Sequence, residues 1–247
     1  RQSPHPDLSQ WARSQTGPSP SLKSPPLPKG GGEGAIYAEV NPRSSVDDRI
    51  RAVLLRCIPP GSRVLEVGTG DGETSYLLAR QGCHVLSTDV SLLALDKARA
   101  RWGGQEGLDL RYEFGDARAL DLPDASLDYV VSENLVEHIS LPDMRRHLAE
   151  VRRLLKPGGC YLLYTPSRLW SGRVSAGFHL HNYTLGELSA LMREVGLRVS
   201  WIEPRLLHRL GQVWQMAGPG LWLACAWEKV LAALRVHTWP VALKARI

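Results

Sequence analysis

The segment that most constrains the fold is Val64-Leu65-Glu66-Val67-Gly68-Thr69-Gly70-Asp71-Gly72. A short apolar run, suited to a buried strand, ends in glycines at every second position. Glycine admits positive φ and carries no Cβ, so the backbone itself can approach a ligand. A helical segment begins just beyond, which turns free N–H groups and the positive end of a helix dipole toward the same spot. A strand, a bare turn and a helix in this order belong to an open α/β sheet, whose ligands sit beyond the C-terminal strand ends.

The rest of the chain repeats that alternation. Strands are expected at Arg63–Val67, His84–Thr88, Leu110–Phe114, Leu127–Ser132, Cys160–Thr165 and Leu197–Ile202. A first helix should open at Ser45, with Asp48 completing a capping box, and end at Pro59-Pro60-Gly61. Others follow the glycine turn to about Arg80, run from a Ser91 cap to about Trp102, open at Pro142, and start from a Thr184/Glu187 capping box. The pattern predicts a parallel sheet with helices on both faces and right-handed crossovers.

Charge and composition narrow the function classes. Net charge is +2 over residues 1–34, −2 over 35–203 and +5 over 204–247. The body is therefore slightly acidic and offers no groove for nucleic acid, so no nucleic-acid partner is expected. Cys57, Cys83, Cys160 and Cys225 are far apart and form no Cys-x-x-Cys pair, which argues against a disulfide framework or a zinc site and for the cytoplasm. No apolar run reaches the ~18 residues of a spanning helix. Residues 1–34, rich in Ser, Pro and Gly, read as a disordered tail. A chain opening at Arg1 reads as a fragment or a trimmed product.

The glycine turn differs from a dinucleotide-binding one. In that pattern the third glycine falls where this chain has Glu73; here it comes one residue earlier, at Gly72. The carboxylate of Glu66 beside the loop suits an ammonium or sulfonium better than a pyrophosphate. The segment resembles motif I of the S-adenosylmethionine (SAM)-dependent methyltransferases, (D/E)-x-G-x-G-x-G, as Glu66, Gly68, Gly70 and Gly72. More narrowly, it resembles the type 11-like families of class I. The resemblance implies SAM as cofactor, with the loop, Thr69 included, under its amino-acid portion and Glu66 near its amino group.

Further positions carry the same resemblance. Asp89 ends the second strand and would accept the ribose hydroxyls, with Val90 beside it; the alternative, a helix cap, is better filled by Ser91. Phe114-Gly115-Asp116-Ala117 is similar to the family's G-D-A turn, in which Asp116 and the Ala117 N–H would meet adenine; the alternative is an Asx-turn. Ser132 through His138 follow the fourth strand and should border the methyl group, and Leu154-Leu155-Lys156-Pro157-Gly158-Gly159 resembles the structural turn before strand five. Tyr37 stands where the family often closes an aromatic over SAM. The resemblance covers about residues 46–202. It implies a seven-stranded sheet of order 3-2-1-4-5-7-6, with strand seven antiparallel and formed by the run Trp239–Arg246.

Methyl transfer asks the protein for alignment and proton management, because the cofactor carries the reactivity. His138 is the first candidate base for a hydroxyl acceptor, or else it only shapes the pocket. His181, in His179-Leu180-His181-Asn182-Tyr183, is the second. Its His-x-His spacing could suggest a metal, but no nearby carboxylate or cysteine is evident in sequence, so none is expected. Residues 204–237 form an insert ahead of a final core strand at 238–247, with Trp214, Trp222 and Trp227, expected as helices around Leu206–Met216 and after Gly218-Pro219-Gly220. It would cap the substrate cleft or sheet edge, or touch a membrane surface near a lipid-like acceptor. The expected function is SAM-dependent methylation of a small or lipid-like acceptor, at oxygen. The alternatives are quinone-type C-methylation or a SAM-binding module without catalysis.

Overall fold

The computed structural model describes residues 51, 52, 54–166, 179–202, 215–217 and 241–247. Tyr37, the 1–34 tail, the helix start at Ser45 and nearly all of the 204–237 insert lie outside the described residues. The strands are β1 (Arg63–Val67), β2 (His84–Asp89), β3 (Leu110–Phe114), β4 (Leu127–Glu133), β5 (Leu155–Thr165), β6 (Arg198–Ile202), β7 (Gln215–Ala217) and β8 (Val241–Arg246). The helices are α1, helical at 51, 52 and 54–56, then α2 (Glu73–Arg80), α3 (Leu92–Trp102), α4 (Leu141–Leu154) and α5 (Leu185–Glu194).

The sheet runs β3-β2-β1-β4-β5-β8-β6-β7. Its first seven positions are the predicted order, since β8 is the strand expected from the final run. It is antiparallel to both neighbours, while β1 to β5 pair in parallel. The eighth strand is an addition. Gln215–Ala217 pairs with β6 at the sheet edge, so the end of the expected Leu206–Met216 helix is extended instead. β5 also starts earlier than Cys160: Leu155 pairs with Leu127, and the Lys156–Gly159 turn forms a register shift before Cys160 meets Tyr129. Lys156 anchors that turn by an ion pair of 2.6 Å to Asp128.

Both sheet faces are buried, as the unbroken apolar runs require. Val64, Val85, Val131, Leu162 and Tyr164 face one cluster with Leu54 and Leu78. Leu65, Leu86, Val130, Tyr161 and Leu163 face the other, with Met144, Leu148 and Val151 of α4 and Leu188 and Met192 of α5. Each such aliphatic side chain contributes about 1.5–3 kcal/mol on burial. Two of the predicted caps are present, while α4 is capped by Ser140, two residues before Pro142. Ser91 accepts from the Ala94 N–H, and Thr184 and Glu187 form a complete capping box. Every ligand-competent loop described below lies at the C-terminal edge of this sheet. Among the described residues no helix is long and apolar enough to cross a membrane.

Candidate active site

The three glycines after β1 have positive φ (81°, 53° and 77°), for three different reasons. A Cβ on Gly72 would lie 2.6 Å from the Ala98 Cβ and 2.8 Å from the Tyr112 hydroxyl, so this glycine lets α2 and α3 close on the sheet. A Cβ on Gly68 would meet Leu135 at 3.1 Å, in the loop after β4. A Cβ on Gly70 would meet nothing within 4 Å. Gly70 alone presents bare backbone to open space, which is the surface a ligand needs.

Glu66 lies beneath this crook and is buried. Ser75 and Ser87 both donate to its Oε2, the latter at 2.9 Å, and the Thr69 and Ser87 hydroxyls are 2.8 Å apart. Burial raises the Glu66 pKa to about 8, with the Ser75 hydrogen bond opposing and nearby Glu133 reinforcing the rise. Glu66 therefore supports the loop from below. Thr69 is also buried, so it offers a ligand backbone only. Arg51 crosses from α1, donates to Glu133 at 2.6 Å and to Thr74 at 2.8 Å, and reaches Glu73 at 3.2 Å. Glu73, which stands where a dinucleotide turn has glycine, is thus part of the scaffold.

Asp89 ends β2 beside the crook. Its Oδ2 accepts from the Gly70 N–H at 3.2 Å and its Oδ1 from the Ser91 N–H at 2.8 Å. Burial raises its pKa, opposed by backbone hydrogen bonds. An ionised carboxylate has about four lone-pair sites, so these bonds leave capacity for a vicinal diol. Among the described residues, Val90 (50% exposed) and Phe114 (49% exposed) are two of the few large apolar side chains left in solvent. They sit at adjoining tips, because Asp89 pairs with Phe114. An apolar shelf beside a carboxylate fits a nucleoside.

Asp116 adopts the alternative open to it. Arg118 donates from its backbone N–H to Oδ1 at 2.9 Å, closing an Asx-turn, and its guanidinium grips both carboxylate oxygens at 2.6–3.1 Å. That fork holds the carboxyl below its ordinary pKa. Ala117 is held through its carbonyl, which accepts from His147 Nδ1 at 2.9 Å. A carbonyl only accepts, so Nδ1 carries the proton and Nε2 accepts from the Tyr161 hydroxyl at 2.9 Å. Tyr161 in turn accepts from Ser132 at 2.7 Å. The Ser132 side chain is fully buried: strand alternation turns it into the core, where it starts a hydrogen-bond chain that ends at the Ala117 carbonyl. Burial keeps His147 neutral by lowering its pKa. Sequence analysis missed His147, although a histidine among Met144, Leu148 and Val151 on one helix face was the available clue.

The other half of the site follows β4. Asn134 takes a positive φ of 52°, which asparagine tolerates, and its N–H donates to the Tyr164 carbonyl at 2.9 Å. This bend leads into a single 3-10 turn, Val136–His138. The Glu137 carbonyl accepts from the Leu180 and His181 N–H groups at 2.8 and 3.1 Å, tying the 179–183 loop to that turn. The rings of His138 and His179 meet edge to face at 5.0 Å, whereas His181 packs on Tyr183 at 4.5 Å. The carboxylate not evident from the His-x-His spacing lies beside His179 alone of that pair: Glu137, His138 and His179 offer donor atoms within 4.8 Å of one another. Tyr183 is fully buried, and burial raises its pKa to about 12.

An open, mostly parallel sheet of this order, with an antiparallel strand beside β5 and a glycine crook after β1, defines a Rossmann-like protein of class I methyltransferase type. The comparisons agree. Residues 64–159 match the methyltransferase domain family. The chain is 30% identical over 195 residues to an uncharacterized methyltransferase of Mycobacterium bovis, covering 76% of this chain and 92% of that one. It is 36% identical over 131 residues to a demethylmenaquinone methyltransferase of Clavibacter sepedonicus, 51% of each. Two further mycobacterial relatives are spanned over only 53% and 36% of their own length. The solved SAM-dependent methyltransferase of Mesorhizobium loti superposes with a TM-score of 0.58 at 20% identity, over 79% of this chain and 96% of that one. The chain belongs to the SAM-dependent methyltransferases, and SAM is its cofactor.

Proposed function

We propose that this protein transfers a methyl group to the oxygen of a small or lipid-like acceptor. The observation that carries the reading is the joining of the two halves of the site: Leu135, which leads into the His138 turn, packs against Gly68 of the cofactor loop. Gly70 and Asp89 would hold the cofactor, with Glu66 below and Val90 and Phe114 beside the base. The adenine role of Asp116 requires its Arg118 fork to share a lone pair, so the Ala117 backbone is the better adenine partner. Bound SAM supplies an electrophilic methyl group. The residues of this chain align the acceptor, exclude water and take its proton, through His138 or His181. The relative from Clavibacter sepedonicus keeps quinone-type acceptors, methylated at carbon, as the second reading.

The test is calorimetric titration of the full chain with S-adenosylhomocysteine, then a labelled-methyl screen over phenols, quinones and glycolipids. Binding followed by label on a hydroxyl is expected. Label on ring carbon would replace O-methylation with the second reading, and binding without any label would leave a non-catalytic module.

A further inference from the structure

The structure assigns a second ligand site to this chain: Glu137, His138 and His179 form a binding site for one borderline divalent cation of the Zn²⁺ or Co²⁺ kind. For its task in the reaction the site rests on the acceptor reading above; for binding the ion it does not.

The three donors come from two segments some forty residues apart in sequence, yet each lies within 4.8 Å of the others. Ligands about 2.0–2.1 Å from one ion lie at most ~4.2 Å apart, so small side-chain rotations close the site. The juxtaposition is built in. Main-chain hydrogen bonds from Leu180 and His181 to the Glu137 carbonyl clamp the two segments together. Two of the three donors are also oriented from behind. Thr165 donates to Glu137 Oε2 at 2.8 Å and turns the carboxylate, which is 1% exposed. Asn182 Oδ1 lies 2.9 Å from His179 Nδ1. That oxygen only accepts, so Nδ1 holds the proton and Nε2 keeps its lone pair. A carbonyl or carboxamide behind a histidine is the usual support of a metal ligand.

The donor set selects the ion. Two imidazoles and one carboxylate suit Zn²⁺ and its first-row neighbours, whereas Mg²⁺ and Ca²⁺ prefer oxygen. Three protein ligands leave a coordination position open, as in catalytic rather than structural sites. An oxygen-bearing acceptor is what an open position of this kind would take. With His138 committed to the ion, His181 remains to receive the acceptor's proton.

The experiment uses untagged full-length chain, stripped with chelator and titrated with Co²⁺ by calorimetry and visible absorption. One Co²⁺ per chain is expected, with ligand-field bands that Zn²⁺ abolishes. Glu137→Gln and His179→Ala should each weaken binding by at least roughly tenfold, and Asn182→Ala by roughly tenfold to a hundredfold. His181→Ala should bind as the parent does. His179→Gln serves if the alanine variant does not fold, as judged by its melting curve. No saturable Co²⁺, bands indifferent to Glu137→Gln and His179 variants, or equal loss in His181→Ala each overturns the site. S-adenosylhomocysteine titrated into the same samples separates the two claims: nucleoside binding without Co²⁺ defeats the metal site alone, and Co²⁺ without nucleoside binding defeats the cofactor reading alone.

Discussion

The tips of β1 to β3 and the tips of β4 and β5 are both ligand-facing edges of one sheet, yet they are built differently. The first half is local. Glu66, Gly70 and Asp89 lie within 24 residues, near the end of β1, in the crook just after it and at the end of β2. The second half is assembled across the chain. Glu137 and His179 meet because a backbone carbonyl of one loop accepts two N–H groups of another. A local half is set by one short stretch of chain, which suits a cofactor that must be held in one way whatever the acceptor. An assembled half changes whenever either loop changes, which suits an acceptor that differs between relatives.

The sharpest way to break this contrast is at the glycines. Gly72→Ala forces a Cβ into Ala98 and Tyr112 at a φ of 77°. It should cost roughly 2–5 kcal/mol of stability, from overpacking and left-handed strain together. Gly70→Ala meets no atom, so only its φ of 53° counts, about 1–2 kcal/mol. Its cost should appear instead in S-adenosylhomocysteine affinity, because the methyl fills the ligand's approach. Denaturant melts and calorimetry read both quantities. Equal destabilisation by the two variants, with affinity untouched by Gly70→Ala, would mean the crook is a packing device alone.

A smaller effect sharpens the nucleoside half. Asp89→Ala should weaken cofactor affinity by about 1–3 kcal/mol, the range for leaving partner hydroxyls unpaired. Co²⁺ binding at Glu137, His138 and His179 should not change, since that site shares no residue with Asp89. Unaltered nucleoside affinity in this variant would remove Asp89 from the ribose assignment.

The two halves also differ in how much of each was legible beforehand. The sheet order, the helix caps at Ser91 and Thr184, and the positions of Gly70, Asp89 and Val90 could be read because they rest on local spacing and strand ends. Ser132 could not. The same alternation that buries both sheet faces turns it inward to Tyr161, and one position along a strand reverses the answer. Asp116 was left between two roles because its deciding partner, Arg118, is an ordinary basic residue in sequence. The Glu137–His179 meeting was invisible, since nothing in the chain announces which loop a backbone carbonyl will bind. His-x-His spacing pointed to His179 and His181 together; the structure separates them, one on His138 and one on Tyr183.

The smallest effect concerns how the nucleoside half manages charge. Glu66, with a pKa near 8, is largely protonated at neutral pH in the ligand-free protein. The cofactor's ammonium and sulfonium are cationic, so binding favours the ionised carboxylate beneath the loop and draws its proton off. The sign follows from linkage: a ligand that prefers the deprotonated form binds more tightly as pH rises toward the free-state pKa, by at most tenfold per pH unit, and gains nothing above it. SAM affinity should therefore climb between about pH 6 and pH 8, relative to Glu66→Gln, which cannot ionise and should show no such slope. Calorimetry in buffers of different ionisation enthalpy would register the released proton directly. If the parent and Glu66→Gln keep a constant affinity ratio across that range, Glu66 holds the loop in shape but leaves the cofactor's charge to other groups.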